Sequence, residues 1–123
     1  MCDRETVFVY GSLRKGMPQH HLVSGSPFLG YGSTAPAFTL YDSGDWPAAI
    51  ATGGTAIYGE LYDLSIPELA LVDAYERHPH FFCRKRVKLA DRRITSIWIY
   101  TLDIPDHWMR IGTGDWVRYA ADA

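Results

Sequence analysis

Ser65-Ile66-Pro67-Glu68-Leu69-Ala70-Leu71-Val72-Asp73-Ala74-Tyr75-Glu76 is the stretch from which the fold is read. It opens with Ser-x-x-Glu, the pattern in which a serine hydroxyl and a glutamate carboxylate satisfy each other's backbone amides at a helix start, and it stops before Pro79. At about 100° per residue, Ile66, Leu69, Ala70 and Val72 share one apolar arc, and Glu76 projects between Leu69 and Val72. The last residue of the helix is therefore a carboxylate aimed inward. Burial disfavours its charged form, and so does the negative end of the helix dipole, so its pKa is expected to be raised. A carboxyl group in that state is suited to proton transfer near neutral pH. The competing reading is a structural ion pair with Arg77, Arg84 or Arg86. Asp73, on the same arc, is expected to hold loop amides or an arginine, or to act as an acidic neighbour to Glu76.

Upstream, Ala56-Ile57-Tyr58-Gly59-Glu60-Leu61-Tyr62 lies in a strand predicted over 55–64, which delivers the chain to this helix. Thr6-Val7-Phe8-Val9-Tyr10 reads as a buried first strand ended by Gly11-Ser12. A brief helix is predicted within 17–24. Residues 28–52 read as short strands broken by glycines and prolines, with a tight turn at Gly53-Gly54. Downstream, 81–89 and 94–102 form a predicted hairpin across Ala90-Asp91-Arg92-Arg93. In its first strand Phe81, Cys83, Val87 and Leu89 fall on one face, and Arg84, Arg86 and Lys88 on the other. The tail suggests a loop, an Asp115 cap and a last short helix. Many strands and few helices favour a small mixed barrel or curved sheet over an alternating strand–helix sheet.

The chain has 123 residues, 47% of them hydrophobic, with four tryptophans, eight tyrosines and five phenylalanines. That is ample for one core and too short for two ordinary domains, so a single domain over 1–123 is expected. A net charge of -2 gives no general attraction to polyanions, and nucleic acid is not an expected partner. The basic run Arg84-Lys85-Arg86-Val87-Lys88 reads as a solvated strand face. Cys2 and Cys83 do not make a disulfide framework, and no charged-then-apolar leader precedes the first strand. A reduced, cytoplasmic setting is expected. No apolar run approaches the roughly 18 residues a membrane span needs.

Tyr10-Gly11-Ser12-Leu13-Arg14-Lys15-Gly16 follows the first strand, so its amides are candidates for holding a carboxylate or an oxyanion. As a phosphate loop it fails, because Met17-Pro18 stand where Lys and Ser/Thr are required. An ordinary polar turn is its plain structural alternative.

Together, Val7-Phe8-Val9-Tyr10-Gly11-Ser12-Leu13-Arg14-Lys15-Gly16, Gly59-Glu60-Leu61-Tyr62, Leu71-Val72-Asp73-Ala74-Tyr75-Glu76 with Pro79, and Gly114-Asp115-Trp116 resemble the γ-glutamylcyclotransferase-like proteins, in order and across nearly the whole chain. The likeness is greatest to the γ-glutamylamine cyclotransferase branch. The resemblance implies an α+β fold with a small mixed β-barrel, a pocket at the mouth of the first loop, a catalytic residue at Glu76, and binding of the γ-glutamyl part of a small substrate by Tyr10, Gly11, Ser12 and Leu13. It also implies cyclisation of that group to 5-oxoproline with release of the amine and no cofactor. Where members often carry a tyrosine after the glutamate and proline, this chain has Phe82, which bears on substrate identity.

Four other readings compete with this one. His20-His21 and His78-x-His80 could contribute to a metal site, but adjacent histidines do not share a helical face and no metal-binding spacing occurs. Cys83 could be a nucleophile beside His78 or His80, although an inward strand position favours inert packing. A member that only binds a small ligand, or one that removes a γ-glutamyl protecting group in biosynthesis by the same cyclisation, would keep the same motifs. Tyr100 and Arg84 are expected to serve the core and the surface.

Overall fold

The computed structural model describes residues 3–122. In chain order the elements are β1 (Arg4–Val9), a 3-10 turn (His20–Leu22), β2 (Phe28–Ser33), β3 (Phe38–Asp42), β4 (Pro47–Thr55), β5 (Tyr58–Ser65), α1 (Ile66–Glu76), β6 (Phe82–Lys88), β7 (Ile94–Tyr100), β8 (Met109–Arg110) and α2 (Trp116–Asp122). The architecture is mixed α+β. Five strands form one sheet in the order β2-β5-β1-β7-β6, and β4-β3-β8 form a second.

β1 lies at the centre of the larger sheet, antiparallel to β5 and parallel to β7. Its continuous apolar run follows from that position, since both faces are covered. Val7 and Val9 pack with Tyr62, Leu64 and Trp98 on the side reached by Leu69 and Val72 of α1. Phe8 packs with Leu61, Ile97 and Ile99 on the side closed by Phe38 and Leu40 of the smaller sheet and by Trp116 of α2. The larger sheet curls until its two edges meet at one end, where Thr34 bridges Leu89 and the Ala90 amide donates to the Ser33 carbonyl at 2.9 Å. Between β2 and β6 this is a single bridge, so the expected barrel is a curled sheet without a closed ladder among the described residues.

Three local expectations are corrected. Gly53-Gly54 is not a turn between strands. β4 runs through it to Thr55 and bulges, because its register with β3 jumps from Thr39↔Ile50 to Phe38↔Thr55. Gly53 takes φ 126°, and a Cβ there would lie 2.6 Å from the Phe38 carbonyl oxygen. On α1, Ile66 is 48% exposed and Ala70 is also exposed, because the helix rests on the sheet along only Leu69 and Val72. In β6 the buried residue is Phe82, and Arg84 turns toward Asp73 of α1 instead of lying on a solvated face. Cys83 is a free, half-buried thiol, and Cys2 lies outside the described residues. No helix among the described residues is long and apolar enough to cross a membrane.

Candidate active site

Local sequence fixes both ends of α1. Ser65 caps its start, with Ser65 Oγ accepting from the Glu68 amide and the Glu68 carboxylate accepting from the Ser65 amide. Its end is closed by Arg77, in the left-handed region at φ 55°, whose amide donates back to the Ala74 carbonyl. This abrupt stop leaves Glu76 on the last inward position, lining a cavity of about 300 Å³.

None of the three arginines proposed as its ion-pair partner meets it. Arg84 forks onto Asp73, with Nε 3.0 Å from Oδ1 and Nη2 3.1 Å from Oδ2. Arg86 reaches Glu5, and Arg77 lies with its guanidinium 5.9 Å from the centre of the Phe81 ring. Asp73 also accepts from Trp98 Nε1 at 2.8 Å. Glu76 itself engages in no ion pair or side-chain hydrogen bond among the described residues. Burial pushes its pKa up to about 8, and the charge of Asp73 adds to the rise.

The loop after β1 forms the opposite wall, and Tyr10, Gly11, Ser12 and Leu13 line the same cavity as Glu76. Tyr10 is buried, and its hydroxyl donates to the Trp98 carbonyl at 2.6 Å. Burial first, and the charge of Glu76 second, hold that hydroxyl far above its ordinary titration range, so it stays a neutral donor. Gly11 is there because Pro47 is close: an added Cβ would lie 2.5 Å from Pro47 Cγ. Ser12 Oγ and the Tyr75 hydroxyl are 2.8 Å apart, joining the loop to the helix end across the mouth. Leu13 is buried, and its carbonyl accepts from His20 Nδ1 at 2.9 Å. The carbonyls of Gly11 and Ser12 accept from Arg14 and Gln19, while the amides of Gly11, Ser12 and Leu13 donate to no described protein acceptor.

Beneath the loop is a charged cluster that the reading of the sequence does not anticipate. Arg14 is buried, with Nε 3.0 Å from Glu60 Oε2 and Nη1 2.9 Å from Asp115 Oδ1. Glu60 also accepts from the Lys15 amide at 3.0 Å and from the Tyr62 hydroxyl at 2.8 Å. This cluster joins three of the motifs that carry the family resemblance, and it clamps the loop from below. The available signal was Glu60 beside Leu61 and Tyr62 in the buried middle of a strand, a position that calls for a buried cation. Asp115 also caps α2 as expected, accepting from the Arg118 amide at 3.2 Å.

The remaining wall is aromatic. Trp46, Phe81 and Phe82 line the cavity, and Trp46 stands edge-on to both phenylalanines, at 6.0 and 5.6 Å between ring centres. Tyr100 and Trp108 back them, with Tyr100 5.4 Å from Phe82. Phe81 is expected on a strand face and Phe82 bears on substrate identity, but no helical or strand period joins them to Trp46 in one wall. Phe82, flagged for its missing hydroxyl, is a packing residue of this wall. Two of the four histidines weighed for a metal are engaged otherwise: His20 with Leu13, and His78 Nδ1 as acceptor of the Arg84 amide at 2.9 Å.

The fold and the cavity define a small α+β domain in which a lone carboxyl group faces a strand-end loop of free amides. Residues 7–118 match the family described as gamma-glutamyl cyclotransferase, AIG2-like, and the chain belongs to that family. The gamma-glutamylcyclotransferase family protein YtfP of Escherichia coli K12 is 31% identical over 112 residues, which cover 90% of this chain and 95% of that protein. The fold is shared with a uropathogenic E. coli-specific protein (TM-score 0.83, 21% identity, covering 100% of this chain and 99% of that one). It is shared as well with a mouse AIG2-like protein (TM-score 0.75, 22% identity, covering 85% and 82%).

Proposed function

We propose that this chain is a γ-glutamylcyclotransferase-type enzyme that converts the γ-glutamyl group of a small amide or peptide to 5-oxoproline and releases the amine. Family membership supports the reaction class. One observation carries the reading to a residue: the Glu76 carboxyl group opens into the cavity without a partner among the described residues, opposite loop amides that donate to no described protein acceptor.

In this reaction the α-nitrogen of the substrate attacks its own γ-carbonyl carbon. A carbon–nitrogen bond forms within the ring, and the amide bond to the leaving amine breaks. The nucleophile belongs to the substrate, so the protein has to hold a cyclic near-attack geometry and move protons. Glu76, as carboxylate, takes a proton from the α-nitrogen, whose ordinary pKa is about 7.7–8.0. As acid, it returns a proton to the departing nitrogen. A carboxyl pKa of about 8 suits both halves. The amides of Gly11, Ser12 and Leu13 grip the substrate carboxylate or the developing oxyanion, and Tyr10 supports the wall from below. No step requires a cofactor. A site built only to bind would gain from a bare carboxyl group only where its ligand is cationic. The setting we propose is the cytoplasm, where Cys83 stays a free thiol.

The test is release of 5-oxoproline from γ-glutamyl amines, γ-glutamyl amino acids and glutathione by wild type and by Glu76→Gln. Product from at least one class, lost in a folded Glu76→Gln protein, supports the reading. Ligand binding without turnover by wild type would replace it with a binding role.

A further inference from the structure

Arg77 is the one cationic side chain among the residues lining the cavity, and its position is unusual in three respects. Its backbone holds φ 55°, a conformation that favours glycine and disfavours a long side chain. Its guanidinium forms no salt bridge with any described carboxylate, although Glu76 is its neighbour in sequence and Asp73 lies one turn away. Instead it lies over the face of Phe81, on the aromatic side of the cavity. Helix termination needs only the backbone of residue 77, which a glycine would supply with less strain. Apart from resting its guanidinium on the Phe81 ring, the exposed arginine side chain has no structural task among the described residues.

The cavity has two chemically different ends. One combines the loop amides with Glu76, where the γ-glutamyl group is cyclised in the reading above. The other combines Trp46 and Phe81 with Arg77 at the rim. A leaving amine bound there would lay an apolar stem on the two rings and present its far end to a guanidinium. Guanidinium groups pair bidentately with carboxylates, repel ammonium groups, and gain little from neutral ends.

We propose that Arg77 is a specificity-determining residue that reads a carboxylate on the leaving part of the conjugate. The enzyme then favours γ-glutamyl conjugates of apolar amino acids over γ-glutamyl conjugates of simple amines or diamines. This rests on the cyclisation reading for turnover, and on the cavity alone for binding.

The experiment uses γ-glutamyl-phenylalanine, its C-terminal amide, and γ-glutamyl-phenethylamine, which share a stem and differ in charge. Binding to the non-turning Glu76→Gln protein is measured by calorimetry, with and without Arg77→Gly, and turnover is followed in wild type and Arg77→Gly. Glycine suits φ 55°, so this variant keeps the helix end and its melting temperature. The expected result is at least a tenfold preference for the carboxylate ligand, reduced to within about twofold in Arg77→Gly. In turnover the loss falls on KM for the carboxylate substrate and is several-fold smaller for the phenethylamine conjugate. Equal binding of the three ligands, binding of none of them, or an equal loss for all three in Arg77→Gly overturns the proposal. Charge-selective binding without 5-oxoproline would sink the cyclisation reading and leave the role of Arg77 standing.

Discussion

Glu60 and Glu76 are two carboxylates set below and beside the same loop, and the protein treats them in opposite ways. Glu60 is 2% exposed and accepts from the Arg14 guanidinium, the Lys15 amide and the Tyr62 hydroxyl. Glu76 takes part in no such bond among the described residues and opens into the cavity. A buried carboxylate whose oxygens are fully engaged fixes its surroundings and has no capacity left for a substrate. One left bare is costly to the fold, and its proton affinity rises until it can exchange protons near neutral pH. Motif alone would rank the two together; Glu60 is fully buried and Glu76 only partly, and hydrogen bonding separates them further.

If that division is right, Glu76→Gln should lower 5-oxoproline formation by about 10²–10⁴-fold, the usual contribution of a positioned general acid or base, while circular dichroism stays unchanged. A similar loss in Glu60→Gln, with none in Glu76→Gln, would reverse the assignment. In stability the order of the two should invert. Glu60→Gln leaves Arg14 buried with only Asp115 as a charged partner, and breaking a buried pair costs about 3–5 kcal/mol in urea denaturation. A change below about 0.5 kcal/mol would show that the cluster is not what clamps the loop.

The pH dependence of stability is the most specific effect. Between the ordinary carboxyl pKa of 4.5 and the raised value of about 8, the folded chain keeps a proton on Glu76 that the unfolded chain has released. The contribution of this group to stability therefore falls as pH rises through that window. Glu76→Gln removes the fall, so the variant should exceed wild type at pH 9 by on the order of a few kcal/mol, at 1.36 kcal/mol per pKa unit. At pH 4 the two should be closely matched. Parallel stability curves for the two proteins would mean that Glu76 is not desolvated in the native state.

What was legible in the sequence follows the same division. The capping box at Ser65 and Glu68, the stop after Glu76 and the helical phase that turns Glu76 inward are set within one short segment, so they could be read from it. The Arg14–Glu60–Asp115 cluster joins residues 46 and 101 positions from Arg14, and no local pattern encodes such a meeting. The exposure of Ile66 and Ala70 depends on how far the sheet extends under α1, and the bulge at Gly53 depends on the backbone of β3. The aromatic wall draws Trp46 from the loop before β4, and Phe81 and Phe82 from the start of β6, so its composition could not be read from any one element. The family resemblance supplied the loop residues Tyr10 to Leu13, and tertiary structure brings them to the cavity that Glu76 lines.

The central claim, that Glu76 is the bare, high-pKa carboxyl group of the cavity, is tested most directly by titrating the protein labelled with carbon-13 at its glutamate side-chain carboxyls. One resonance should titrate near pH 8 and vanish in Glu76→Gln. If the Glu76 resonance titrates between pH 4 and 5, or if the resonance that titrates near pH 8 persists in Glu76→Gln, Glu76 is not the high-pKa carboxyl group of the cavity.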